Sequence, residues 1–199
     1  MEAVYNFNEG AMVKLNKIYT RTGDDGTTGL ADGTRRPKDD PRLVVIGSVD
    51  ETNAALGLVR LNSASDPALD ALLARIQNEL FDLGADLATP SDNISWTPLR
   101  IKAHQVAALE EALDAYNEPI APLTSFILPA GSPLSAHLHL ARTLARRAER
   151  DAVTLARIEG EAVNPEVMKY LNRLSDLLFV LARHANDQGR ADVLWVPSK

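Results

Sequence analysis

The sequence predicts an all-α protein, a five-helix bundle preceded by an ordered Gly/Thr-rich arm. Three observations lead there. From residue 41 almost to the end, apolar residues recur at helical spacing in five segments separated by turn signals. Four of these segments open with Pro in or just before the first turn, and Asp66, Ser132 and Asn164 stand ahead of three of them as candidate caps. No stretch alternates apolar and polar residues convincingly enough to read as a sheet.

The elements follow in order. Residues 1–15 read as an N-terminal extension whose order is left open, with Met12 as an alternative internal start. Residues 16–40 form an arm rich in Gly, Thr, Asp and basic residues, without helical period. The first helix is expected over 41 to about 62, with Pro41 in its first turn. Asp66-Pro67 opens the second, which runs to about 88 with Leu69, Leu72, Leu73, Ile76, Leu80 and Leu83 as its apolar face. A loop with two prolines spans 89–98, and the third helix covers about 99 to 116. The connector 117–131 holds three prolines and an exposed-looking Phe126. Ser132-Pro133 caps a long fourth helix to about 159, and Asn164-Pro165 caps a fifth that ends near Gly189. Neither a repeat nor a low-complexity linker interrupts residues 16–199, which read as one domain.

Composition limits what this domain can do. The 199 residues are 45% apolar and 24% charged, ordinary for a globular chain. With no cysteine, disulfides, thiolate metal sites and a catalytic thiol are excluded. A formal charge of -6 argues against nucleic-acid binding. No apolar run approaches the roughly 20 residues that span a bilayer, and the first residues lack the pattern of a secretory signal. A cytoplasmic protein with neither nucleic-acid nor membrane partner is expected.

The chemistry-bearing residues fall in two places. In the arm, Thr20-Arg21-Thr22-Gly23-Asp24-Asp25-Gly26-Thr27-Thr28-Gly29 combines glycines, hydroxyls and a guanidinium. Such a backbone can curl so that its N–H groups converge on phosphate oxygens, although the same residues also make plain surface turns. It is neither a Walker A loop nor a dinucleotide fingerprint. On the fourth helix, Arg142, Arg146 and Glu149 fall within about 60° of one another. They border the apolar face of Leu138, Ala141, Ala145, Ala148 and Ala152. Arginines at i,i+4 repel unless an anion lies between or beside them, so this stripe reads as a polyphosphate clamp or as a solvated charged face.

Other helices carry polar residues at apolar faces. Asp50 and Asn53 lie near Ile46 and Gly57 on the first, and Asp50 is placed to pair with an arginine. Asn172 and Asp176 share a stripe with Phe179 and Arg183 on the fifth. His104, His137, His139 and His184 form no metal-ligand pair and are expected to be structural or superficial. No protein metal site is expected.

Four blocks resemble the PduO-type ATP:corrinoid adenosyltransferases. They are KIYTRTGDDGTTGL with RRPKDD (17–40), GSVDETNAALG (47–57), FILPAGS with LHLARTLARRAER (126–150), and YLNRLSDLLFVLAR (170–183). The resemblance implies a helical bundle assembled as a homotrimer, with active sites between subunits. It implies ATP contacts at Thr20, Arg21, Thr22, Gly23, Thr28, Gly29 and Lys38 in the arm. Arg146, Arg147, Glu149 and Arg150 on the fourth helix and Asn172 on the fifth complete the set. Asp50 and Arg142 match a pair bridging the interface, and Phe126 matches an aromatic packed under the corrin. Two departures stand out: Pro129-Ala130-Gly131 where the family has Pro-Gly-Gly, and Asp50-Glu51-Thr52-Asn53 where it has Asp-Glu-Leu-Asn.

The implied reaction moves the 5′-deoxyadenosyl group of ATP to cobalt(I) of a reduced corrinoid, giving adenosylcobalamin and tripolyphosphate. Cobalt(I) is itself the nucleophile, so the protein need only orient the substrates and stabilise the leaving group. Lys38, Arg146 and Arg150 with Mg²⁺ would serve the latter, Glu149 would orient them, and Phe126 would displace the lower axial base. A flavin reductase and an adenosylcobalamin-dependent enzyme are the implied partners. Two rival readings are a bundle ATPase or kinase and a nucleotide-sensing or corrinoid-delivery protein without turnover.

Overall fold

The computed structural model describes residues 18–90, 94–158 and 163–198. The extension read over residues 1–15 lies outside the described residues. Among the described residues five helices form: α1 (Pro41–Arg60), α2 (Pro67–Leu87), α3 (Ala103–Asn117), α4 (Pro133–Arg157) and α5 (Pro165–His184). No helix among the described residues is long and apolar enough to cross a membrane.

The expected caps hold three of these starts, and Asp40 holds the fourth. Asp40 accepts from Arg42 N, Asp66 from Leu69 N, Ser132 from Ser135 N and Asn164 from Glu166 N, each with Pro in the first turn. Each bond satisfies a backbone N–H that the helix cannot, and the proline ring takes the place of another.

Two helix boundaries and the arm depart from the sequence reading. α3 begins at Ala103 rather than near 99, because Ile101 is held outside the helix. Its N–H donates to Asp86 Oδ2 at 2.8 Å and its carbonyl accepts from Asn164 Nδ2 at 2.8 Å. α5 stops at His184, five residues short of Gly189, where Asp187, Gln188 and Gly189 all take positive φ. Gly189 N then returns to Arg183 O at 2.8 Å, closing the helix end. In the arm, β1 (Thr27–Gly29) pairs antiparallel with β2 (Arg35–Pro37). Strands of three residues are too short for an alternating pattern, so a sequence reading passes over them. The turn is set locally: Asp32 accepts from Thr34 N at 2.9 Å and from Thr34 Oγ1 at 2.6 Å, and Gly33 supplies φ +84°.

The helices pack in the order α2–α1–α4–α5–α3. α4 is central, and its inward face is mostly small: Ala141, Ala145, Ala148 and Ala152 are fully buried. Small side chains let α1 and α5 approach α4 closely, while Leu56, Leu138, Leu171, Leu174 and Leu178 fill the remaining space. Cross-links fix the register. Ser48 donates to Asp151 at 2.5 Å between α1 and α4, and Tyr170 on α5 donates to Glu79 on α2 at 2.7 Å. Buried Asp86 gathers Arg100, Ile101 N and Asn164, tying the end of α2 to the start of α5. The arm is joined to this same end by Ala31 N donating to Ala88 O at 2.9 Å.

Candidate functional site

The arm folds into a depression of about 190 Å³. All seven arm positions implied by the resemblance line it: Thr20, Arg21, Thr22, Gly23, Thr28, Gly29 and Lys38. Thr20 and Thr22 hydroxyls lie 2.8 Å apart, and the Arg21 guanidinium sits over Tyr19 at 5.7 Å. Arg21 itself has φ 65°, a left-handed backbone that bends the chain around the hollow. A Cβ on Gly23 would lie 3.0 Å from Thr27 O and 3.2 Å from Lys38 Nζ, so glycine is what lets the lysine approach.

Arg35 lines the same hollow and was not singled out in the sequence. It donates to Thr22 O at 2.6 Å and to Thr27 Oγ1 at 2.7 Å, bracing one wall. Its only sequence signal is the Arg35-Arg36 pair ahead of Lys38. Asp25 shapes the next turn, accepting from both Thr27 N and Thr27 Oγ1. Those two bonds, with the Arg35 charge, hold its carboxyl below the usual range although it is exposed.

The second cluster is on α4. Arg146 and Arg150 are exposed on one face, with Arg142 half-buried beside them. Burial, then the neighbouring Arg146 charge, lowers the proton affinity of Arg142, and its Nε is buried without a partner among the described residues. Glu149 accepts from Asn172 Nδ2 of α5 at 2.9 Å, which turns the carboxylate along the arginine stripe. Arg147 is placed otherwise: it is ion-paired with Glu51 on α1. Asp50 is exposed and has no hydrogen-bond or ion-pair partner among the described residues, so it does not meet Arg142 within one chain.

Phe126 is 79% exposed. Its ring meets Trp195 edge-on at 6.2 Å, and its carbonyl accepts from Trp195 N at 2.8 Å. Leu128 N donates to Val193 O at 2.7 Å, so the C-terminal segment is laced to the connector. Nothing in the periodicity signals this pairing. The Ala130 departure is accommodated, because the positive φ falls on Gly131 (+106°), where a side chain would strike Asn186. Thr52 is fully buried and donates to Ser48 O at 2.8 Å, satisfying its hydroxyl within α1.

Among the described residues no cluster of three His, Asp or Glu could hold a metal ion.

The chain as a whole is similar to known proteins. The sequence model of the cobalamin adenosyltransferase family fits residues 18–185. The chain belongs to that family. It is similar to the corrinoid adenosyltransferase of Mycobacterium tuberculosis H37Rv, 53% identical over 186 residues, covering 93% of this chain and 95% of the relative. It is also similar to the PduO corrinoid adenosyltransferase of Citrobacter freundii, 46% identical over 83% of this chain and 49% of that protein. Among solved structures it resembles a variant PduO-type ATP:corrinoid adenosyltransferase from Lactobacillus reuteri complexed with cobalamin and ATP. That match has a TM-score of 0.84 and 39% identity, over 92% of this chain and 98% of the other. A second variant of the same enzyme, complexed with ATP, matches at TM-score 0.81 and 40% identity, over 90% and 100%. The adenosyltransferase fold thus accounts for the whole helical bundle.

Proposed function

We propose that this adenosyltransferase-family chain moves the 5′-deoxyadenosyl group of ATP to cobalt(I) of a reduced corrinoid. Cobalt(I) gives its electron pair to the ribose 5′ carbon, the cobalt–carbon bond forms, and the carbon–oxygen bond breaks. Tripolyphosphate leaves with that bond's electrons, and cobalt ends formally two electrons more oxidised. The observation that carries this reading is the arm hollow, lined by all seven arm positions implied as ATP contacts. Charge grows on the leaving oxygens, so fixed cations lower the barrier most when aimed there. Lys38 in the arm with Arg146 and Arg150 on α4 fill that role, and Asn172 keeps Glu149 beside them. Mg²⁺ bound to the triphosphate would neutralise part of the same charge.

The site is read as shared between copies in a homotrimer. The β1–β2 hairpin makes extensive contact with no helix among the described residues, which leaves the two cationic clusters as separate half-sites. Asp50 opens onto a groove of about 350 Å³ between α1 and α2, beside Leu43, Ile46 and an exposed Phe81. Exposed apolar surface around an unpaired carboxylate suits a second copy bringing Arg142. Phe126, held out by its bond to Trp195, is read as the apolar group that replaces the corrin's lower axial base. A cytoplasmic setting, a flavin reductase that supplies electrons and an adenosylcobalamin-dependent acceptor remain part of the proposal.

Anaerobic incubation with ATP, Mg²⁺ and reduced cobalamin tests the reaction. Adenosylcobalamin absorbance with one tripolyphosphate per corrinoid supports transfer. ADP and phosphate would instead support an ATPase, and binding without product a delivery protein. Light scattering showing a stable monomer at working concentration would sink the shared site.

A further inference from the structure

His139 lies in α4, one turn before Arg142, and is 1% exposed. Neither of its ring nitrogens has a hydrogen-bond partner among the described residues. A buried polar group without a partner is destabilising, so a His with two is a feature to explain. Its ring packs edge-on against Phe179 of α5 at 6.2 Å, which fixes its plane. Relative to His139, Arg142 lies about 60° and Arg146 about 20° around the helix, so the imidazole sits at the buried foot of the arginine stripe. The Nε of Arg142, a donor with one hydrogen, is also buried and unpartnered. One turn of α4 thus carries an unused acceptor and, three residues on, an unused donor.

We propose that His139 is a positioning residue for Arg142: one ring nitrogen of its neutral imidazole accepts the Nε hydrogen of Arg142 in the assembled site. That bond orients the remaining guanidinium N–H groups toward the carboxylate they bridge. The inference rests on the interface role of Arg142 proposed above. It requires His139 to be neutral, since an imidazolium has no acceptor nitrogen. The surroundings favour that state. Burial and then the Arg142 charge lower the proton affinity of His139. Asp192, from the segment after α5, opposes them, but it is itself paired with Arg183 at 2.8 Å. Phe179, the α5 ring against His139, carries no charge.

The test compares wild type with His139→Leu, His139→Gln, Arg142→Ala and the Leu/Ala double variant. Adenosylation of reduced cobalamin is followed from about pH 5.5 to 8.5, with a thermal melt for each. Leucine removes two desolvated nitrogens at similar volume, so melting should hold or rise while kcat/KM falls about tenfold. A residue that only packs the core would not move these in opposite directions. Glutamine keeps an acceptor and should restore most of the activity, without the acid-side decline of wild type. In the Arg142→Ala background, His139→Leu should have no further effect. If Arg142→Ala is impaired but His139→Leu keeps wild-type kinetics, the positioning role is overturned and the site reading stands. If Arg142→Ala is itself unimpaired, the interface reading fails instead. Should the Leu variant not fold, the Gln variant decides: an acid limb unchanged from wild type would overturn the proposal.

Discussion

Arg147 on α4 is ion-paired with Glu51 on α1 of the same chain, whereas Arg146 has no hydrogen-bond or ion-pair partner among the described residues. A rotation of about 100° between successive helix positions separates a bracing arginine from an available one. Arg146→Ala should therefore lower kcat/KM for ATP roughly 10- to 100-fold, the loss of a contact worth about 1.5–3 kcal/mol, with little change in melting. Arg147→Ala removes an exposed pair worth about 0–1 kcal/mol and should have a smaller effect on turnover. Equal losses in the two variants would return Arg147 to the nucleotide, as the family resemblance implies.

Phe126 is exposed and contacts Trp195 rather than the core, so Phe126→Ala should leave thermal stability nearly unchanged. If the ring displaces the axial base, spectra of bound cobalt(II) with ATP should show a smaller four-coordinate fraction in the variant. Adenosylation from cobalt(II) should then fall more steeply than adenosylation from pre-reduced cobalt(I). An undiminished four-coordinate signal would rule the wedge out.

The helices were legible because four of them announce their starts with a proline: Asp66, Ser132 and Asn164 cap where the sequence places a cap, and Asp40 caps ahead of Pro41. What was illegible depends on contacts distant in sequence. Ile101 is kept out of the helix by the buried Asp86, fifteen residues before it, and by Asn164, sixty-three residues after it. The arm hollow could be read from residue type and family resemblance, yet Arg35 acts through a backbone carbonyl thirteen residues earlier. The pairing of Trp195 with Phe126 spans all of α4 and α5, and no local pattern encodes it.

Gly131 should tolerate no side chain. At φ +106° an alanine is strained, and its methyl would collide with Asn186, which accepts from Ser132 N and donates to Ala130 O. Gly131→Ala should destabilise the fold by about 1–3 kcal/mol, read as a lowered denaturation midpoint. Ala130→Gly, which restores the family pattern, should change it by well under half that.

Acid should act through Asp70. Its carboxylate accepts from Arg60 Nε at 2.9 Å and Nη2 at 2.8 Å, and from Ser63 at 2.7 Å. The Arg60 bond first, then Ser63, lower its pKa to about 2. A folded-state value below the unfolded one, about 3.9, contributes stability that is full above pH 4 and lost as pH falls toward 2. Asp70→Asn should lower the melting temperature at neutral pH and flatten its decline across that window. An unchanged acid slope in the variant would remove Asp70 from the account.

Adenosyl transfer is tested most directly by following the carbon that moves. ATP labelled with ¹³C at the ribose 5′ position is mixed anaerobically with the protein and reduced cobalamin, and the products are examined by carbon NMR. The account predicts that the label appears as a cobalt-bound methylene in the corrinoid, with one tripolyphosphate released for each. Label remaining on oxygen, in ADP or AMP, would contradict it.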